Sequence, residues 1–484
     1  MPLTLTEPLT WTAGDPDADA LLDNLQANIV KGHVRDHLTV MFLHFDEPSE
    51  APAFLHAVGR LAKSARRHLQ EVAAFKAGSP LPDVTSYVGV GLTATGYATV
   101  GATAPDDPKF AQPGGMKGSR TALHDPPVST WEPGYRGDVH AVVLVGDAED
   151  AHARQLGTVQ TVLGLVTDGI TVLTQETGHS LVNADRHGIE HFGYVDGRSQ
   201  PLFLTEDVAA ETQGVDGATV WDPAFPLRQV VVPDPAAPDP TVHFGSYFVF
   251  RKLEQHVALF KQAERDLATK LGLDDPERAG AMLVGRFEDG TPLTLQSEEG
   301  AHSPVMNDFD YDSDAAGSKC PYVAHIRTTN PRGSGGAPGG APTDVAFERS
   351  HLMARRGQTY GHRTDDPNGD VDPDDRPTGG VGLLFMAFNA SVGNQFEFTQ
   401  TAWADNPGFP FASPTQPVGL DPVIGQGSRD GSMRCPVRWG EGGGDNLAEA
   451  DQVPQAVTMR GGQYFFMPSL AFLTALAADD RGEG

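Results

Sequence analysis

The stretch Cys320–Arg332, CPYVAHIRTTNPR, sets one histidine, His325, in a short and largely apolar run, with Arg327 and Arg332 close behind it. A neutral imidazole beside guanidinium groups suits an anionic metal cofactor, the ring nitrogen binding the metal and the arginines meeting carboxylates. Taken alone, the run fits a core histidine satisfied by hydrogen bonds better than a ligand. A second stretch, HFGYVDGRSQP, contains the tight turn Gly193–Gly197, whose two glycines let the backbone bend closely while Asp196 is presented from a fixed position. Ordinary Asp-Gly turns share that pattern. A third, Arg355–Gly361 (RRGQTYG), places paired arginines before a glycine. Such a pair is surface charge when exposed, and a permanent electrophile when buried against a peroxide or oxyanion.

Other chemistries are poorly served. There are only two cysteines, Cys320 and Cys435, which excludes a disulfide scaffold and a four-cysteine zinc site. GxSxG, GxxxxGK[ST] and HExxH patterns are absent. The acidic loop Asp365–Asp375 alternates oxygen ligands, but Val371 stands where a calcium loop needs glycine and Pro377 where it needs a bidentate glutamate. A solvated loop is expected there. The net charge of -29 repels nucleic-acid phosphates and anionic membranes, so neither is expected as a partner. No stretch approaches the roughly 20 apolar residues of a membrane span. With no basic and apolar leader at Met1–Asp15, a cytoplasmic protein is expected.

The elements that must position these residues alternate between strand and helix with varied connections, favouring α+β layers over a doubly wound parallel sheet. Strands are expected at Leu38–Phe45, Val84–Leu92, His140–Gly146, from Gly169, and at Gly245–Arg251, Val381–Phe388 and Gly462–Met467. Helical spacing covers Ala18–Val30, Glu50–Phe75, Ala151–Leu165, Glu254–Leu271 and a segment with Val392, Phe396, Thr399 and Trp403 on one face. Prolines crowd between Thr212 and Thr241, where a domain linker is expected. The organisation read from this is an arm over 1–17, a first half over 18–211 carrying the Asp196 turn, a linker over 212–244 and a second half over 245–484. Both halves mix strands and helices in a similar order, without a convincing sequence repeat.

GxxDG, then a CPxxAHIRxxNPR-like segment, then an RRGxxYG-like segment, in that order, resembles the dye-decolorizing peroxidases. GSYFVFRKLEQHV, VGRFEDGTPL, DFDY, VGLLFMAFN and GLDPVIGQG also look similar to the extended branch of that family. The resemblance implies two ferredoxin-like halves with antiparallel sheets flanked by helices, a dimeric α/β-barrel-like arrangement, with haem b (iron protoporphyrin IX) in the C-terminal half. It implies His325 as the axial iron ligand, Asp196 as the distal acid–base group and Arg355 as the distal arginine. Arg332 and Arg327 would meet a haem propionate, and Leu383 and Phe385 would line the distal pocket. A carboxylate should hold the far nitrogen of the histidine. Asp421 is the first choice and Glu397 the second. The implied activity is oxidation of bulky aromatic substrates such as dyes and phenols by hydrogen peroxide, in acid, because the base is a carboxylate. Electrons from bulky dyes would pass through aromatic side chains, with Tyr194, Tyr311, Tyr322, Tyr360, Trp403 and Trp439 as candidates. Thr359 stands where many relatives have proline. A manganese-oxidising peroxidase using Mn(II), a haem carrier without turnover, and a structural module without cofactor remain open readings, as does the oligomeric state.

Overall fold

The computed structural model describes residues 4–214, 217–302, 304–339, 341 and 344–476. Twelve strands are present among them: β1 (His37–Phe45), β2 (Tyr87–Leu92), β3 (Ala141–Asp147), β4 (Ile170–His179), β5 (Val232–Pro233), β6 (Phe244–Gln255), β7 (Ala354–Arg355), β8 (Gln358–Tyr360), β9 (Gly382–Asn389), β10 (Ser432–Pro436), β11 (Leu447–Asp451) and β12 (Val457–Met467). The first nine and β12 form one antiparallel sheet in the order β5-β6-β12-β2-β3-β1-β4-β8-β9-β7, and an additional β6–β9 pairing closes it on itself. β2, β3, β1 and β4 therefore make one four-stranded half, and β8, β9, β6 and β12 the other. Both halves have the ferredoxin-like order. Their inner ladders are long, whereas the seams are single pairs, Phe466 opposite Leu92 and Gly178 opposite Tyr360.

The central strands read as continuous apolar runs because they are buried on both faces; all seven residues of β3 are buried. The core joins their side chains to those of the flanking helices Ala51–Gly59, Ala65–Lys76, Val257–Leu271 and Pro276–Val284. The helix expected over 18–30 runs only from Pro16 to Asn24, with Asp15 capping it through the Asp17 N–H. Ile29 and Val30 are buried in irregular chain beyond it. β6 extends to Gln255, past the expected helix start at Glu254, and His256 caps the helix that follows by accepting from the Leu259 N–H. The expected segment after β9 winds with the wide turns of π-helix at Val392–Glu397 and Thr399–Ala404.

The proline-rich segment is not a free linker. Phe225, Leu227, Val230 and Val231 are buried, β5 pairs with β6, and the buried Asp234 carboxylate accepts from both the N–H and the hydroxyl of Ser469 at 2.8 Å. The apolar residues between the prolines supply enough burial to dock it on the core. Residues 215–216 of that segment lie outside the described residues. No helix among the described residues is long and apolar enough to cross a membrane.

Candidate active site

His325 opens a five-residue helix, His325–Thr329. Its Nδ1 lies 2.9 Å from Oδ2 and 3.1 Å from Oδ1 of Asp421. Asp421 is buried, and its Oδ1 also accepts from the Val423 and Ile424 N–H groups at 2.8 Å. Burial pushes this carboxyl up, but the His325 ring and the two amides outweigh it and hold it below the ordinary value. With Nδ1 engaged, Nε2 is the ring nitrogen left with a lone pair for a metal. Glu397, the second choice for this carboxylate, is turned elsewhere: it accepts from Ser119 and from the Tyr464 hydroxyl at 2.9 Å, and meets Lys109 at 2.8 Å.

The Asp196 turn stands on Gly193 and Gly197, with φ of 103° and 84°. These left-handed values are costly for any residue with a Cβ. Asp196 Oδ1 accepts from the Gly197 N–H at 2.6 Å. The turn is braced by Glu190, whose carboxylate accepts from the Phe192 and Tyr194 N–H groups at 2.9 and 3.1 Å and from the Gln255 amide. Burial pushes Glu190 up to about 7, and the Asp196 charge adds to the rise. Arg355 lies on β7 opposite Ala387 of β9. Gln200 Oε1 accepts its backbone N–H at 3.0 Å, and its Nη2 donates to the Arg198 carbonyl at 2.9 Å.

His325, Asp196 and Arg355 line one cavity with Leu383, Phe385 and Arg332. It is narrow, and is called the slit below: about 210 Å³ of it is reached by the centre of a water-sized sphere. The period-2 pleat builds one wall: on β6 Arg251, Leu253 and Gln255 line the cavity and alternate with the ion-paired Lys252 and Glu254, and on β9 Leu383 and Phe385 line it and alternate with the core residues Leu384 and Met386. The π-helical segment adds Phe396, Thr399 and Gln400.

The two arginines behind His325 part company. Arg332, at φ 48°, donates to the carbonyls of Asn307 and Phe309 at 2.8 and 2.5 Å and to Ser199 Oγ and Asn307 Oδ1 at 2.8 Å. Its guanidinium faces the rings of Trp221 at 4.4 Å and Phe309 at 3.9 Å. No carboxylate is among these partners, and burial pushes it down to about 9. Arg327 does not line the cavity, contrary to the expectation of a propionate contact. It is fully buried, paired with Asp314 at 3.1 Å, donates to the Cys320 and Asp314 carbonyls at 2.6 and 3.0 Å, and packs over Tyr311 and Tyr322. A guanidinium so deep needs a counter-ion, and Asp314 supplies it. Sequence reasoning passed over Asp314, Glu190 and Gln200. Of these, Glu190 left a signal, as the acid three residues before Gly193.

No family model matches the chain. Along 479 residues, however, it is 60% identical to the multifunctional dye peroxidase DyP2 of Amycolatopsis sp. (strain ATCC 39116 / 75iv2), covering 98% of this chain and 100% of that protein. The chain belongs to the dye-decolorizing peroxidase family. The solved structure of DyP2 from Amycolatopsis sp. ATCC 39116 superimposes with a TM-score of 0.93 at 59% identity, over 98% of this chain and 100% of that one. A DyP-type peroxidase of Anabaena sp. gives 0.85 at 34% identity over 95% of each chain. A dye-decolorizing peroxidase of Mycetinis scorodonius is 31% identical over 412 residues, 79% of this chain and 75% of that protein. As a dye-decolorizing peroxidase the chain is an oxidoreductase that spends hydrogen peroxide on dyes, and the family's enzymes carry haem.

Proposed function

We propose that this peroxidase holds haem b in the slit beside His325, with Asp196 and Arg355 on the opposite, peroxide-facing side. The observation that carries this reading is the shared lining: a histidine with one nitrogen committed to a buried carboxylate, and an aspartate and arginine in the same narrow cavity. A thin slit suits a planar macrocycle. Arg332, whose hydrogen bonds among the described residues end on neutral acceptors, suits a propionate at its edge. His325 Nε2 would bind the iron, and Asp421 would raise its donor strength through Nδ1. Haem, when bound, supplies the redox-active iron that takes up the oxidising equivalents of peroxide. Asp196, ionised, takes the proton from the near oxygen of peroxide and delivers it to the far oxygen, which leaves as water. Arg355, always protonated, faces the negative charge that develops as the O–O bond separates. Leu383 and Phe385 keep bulk water and bulky substrates from that side.

His325→Ala should lose or loosen haem, read from the Soret band of purified protein; an unchanged band sinks the assignment. Asp196→Asn and Arg355→Leu should each slow formation of the oxidised haem in stopped flow, the first by about 10²–10⁴-fold. Normal formation in both removes their roles. For reductants we infer dyes and other bulky aromatics. For Mn(II) only the acidity of the chain speaks, since among the described residues no group of three or more His, Cys, Asp or Glu is arranged to hold a metal. Steady-state rates on manganese against a dye separate these reductants.

A further inference from the structure

Asp196, Arg198, Arg355 and Leu383 line not only the slit but also a neighbouring vestibule. It leaves about 690 Å³ for water-sized spheres, within the range of a small-molecule site. Its charge is the reverse of the chain's. Five cations line it against three carboxylates, on a protein of net charge -29. Two of those carboxylates are already spent, Asp207 on Lys31 at 2.5 Å and Glu211 on Arg198 at 2.7 Å. Arg35, Arg355 and Arg356 remain. Among the described residues, the hydrogen bonds of their guanidinium groups end on backbone carbonyls: Arg35 on His33 and Arg356, Arg356 on Asn28, Ile29 and Arg355, and Arg355 on Arg198. Carbonyls satisfy the N–H groups but leave the positive charge uncancelled, and two of these guanidiniums are buried. Burial, with Arg35 and Arg355 adding to it, pushes Arg356 down to about 9. Beside the arginines, Leu181, Ile189 and Leu202 give the vestibule an apolar wall.

We propose that the vestibule is a binding site for a carboxylate-bearing aromatic molecule, its ring on the apolar wall and its carboxylate against the Arg35–Arg355–Arg356 cluster. The role of such a molecule as a reductant rests on the peroxidase reading above; its binding does not. The cluster gives a strongly acidic protein a local attraction for anions that its net charge would otherwise repel.

The test is isothermal titration of the resting, haem-loaded enzyme with benzoate, and with benzamide as the neutral counterpart, in the absence of peroxide. Removing Arg356 would also release Asn28 and Ile29, so the cleaner variant adds a charge. Gly32 has an ordinary backbone, and a Cβ there would lie 3.8 Å from Cδ and Nε of Arg356 with nothing closer. Gly32→Asp thus sets a carboxylate beside the cluster without cutting a hydrogen bond, and Gly32→Ala is its steric control. Benzoate should bind the wild type more tightly than benzamide does. It should weaken about tenfold in Gly32→Asp and no more than about twofold in Gly32→Ala, and leave the Soret band unmoved at saturation. Absence of benzoate binding, equal affinity in wild type and Gly32→Asp, or a Soret shift that tracks the isotherm would each overturn the proposal. Because no turnover is involved, failure of the catalytic assignment would show in stopped flow with Asp196→Asn and leave this titration untouched.

Discussion

The two walls of the slit treat charge in opposite ways. On the His325 side, side chains meet buried carboxylates: the partly buried His325 of the lining meets Asp421, and behind the lining Arg327 meets Asp314. On the Asp196 side the functional groups meet backbone. Asp196 accepts from the Gly197 N–H, Arg355 donates to the Arg198 carbonyl, and the guanidiniums behind it end on carbonyls as well. A paired charge is fixed in place and expensive to separate. A charge held by neutral dipoles keeps its field for whatever enters the cavity. One wall is built to hold, the other to receive.

That contrast can be broken in order of effect. Arg327→Met strands Asp314 in the interior and should cost about 3–5 kcal/mol in chemical denaturation. Arg355→Leu strands no carboxylate and should stay within about 1 kcal/mol. Equal losses would erase the distinction between the walls. Asp421→Asn keeps the shape but removes the charge behind the imidazole, and should weaken haem retention about 10–100-fold, followed by transfer of haem to an apo-globin acceptor. The last test concerns Glu190, whose effect is confined to a pH window. Its carboxyl is raised from 4.5 to about 7 in the folded protein, so its contribution to stability is complete below about pH 4.5 and is lost as pH rises toward 7. Glu190→Gln should flatten that decline by about 1–2 kcal/mol between pH 4.5 and 6, measured by denaturant titration at several pH values. An unchanged slope would mean that the brace on the Asp196 turn is ionised throughout.

The strands were legible because buried strands announce themselves as apolar and aromatic runs, and GSYFVFRK and VGLLFMAF do so plainly; their grouping into ferredoxin-like halves came from the family resemblance. Asp421 was named as a candidate from GLDPVIGQG, one of the stretches that carry the resemblance, and its carboxylate lies against His325 Nδ1. Arg327 was not legible as a buried ion pair. Its counter-ion Asp314 sits in DYDSDAAGSK, which reads as exposed acidic loop, and only the tertiary fold turns that one aspartate inward while Asp312 stays exposed. The proline-rich segment misled for a related reason: prolines mark breaks in regular structure, and say nothing of whether the apolar residues between them are buried. Helical spacing at Val392, Phe396, Thr399 and Trp403 gave the buried face but could not report the wider winding, because the same side chains are buried either way.

The single-pair seams of the barrel carry a consequence of their own. Each half keeps its own ladder, and among the described residues each seam between the halves is a single strand pair. Asp196 follows the strands of the first half and Arg355 belongs to those of the second. With the roles proposed for these two residues, catalysis is a property of the assembled pair rather than of either module, and turnover doubles as a sensor of correct docking: a chain whose halves each fold but sit a fraction of an ångström out of register would look native by secondary structure and be silent toward peroxide.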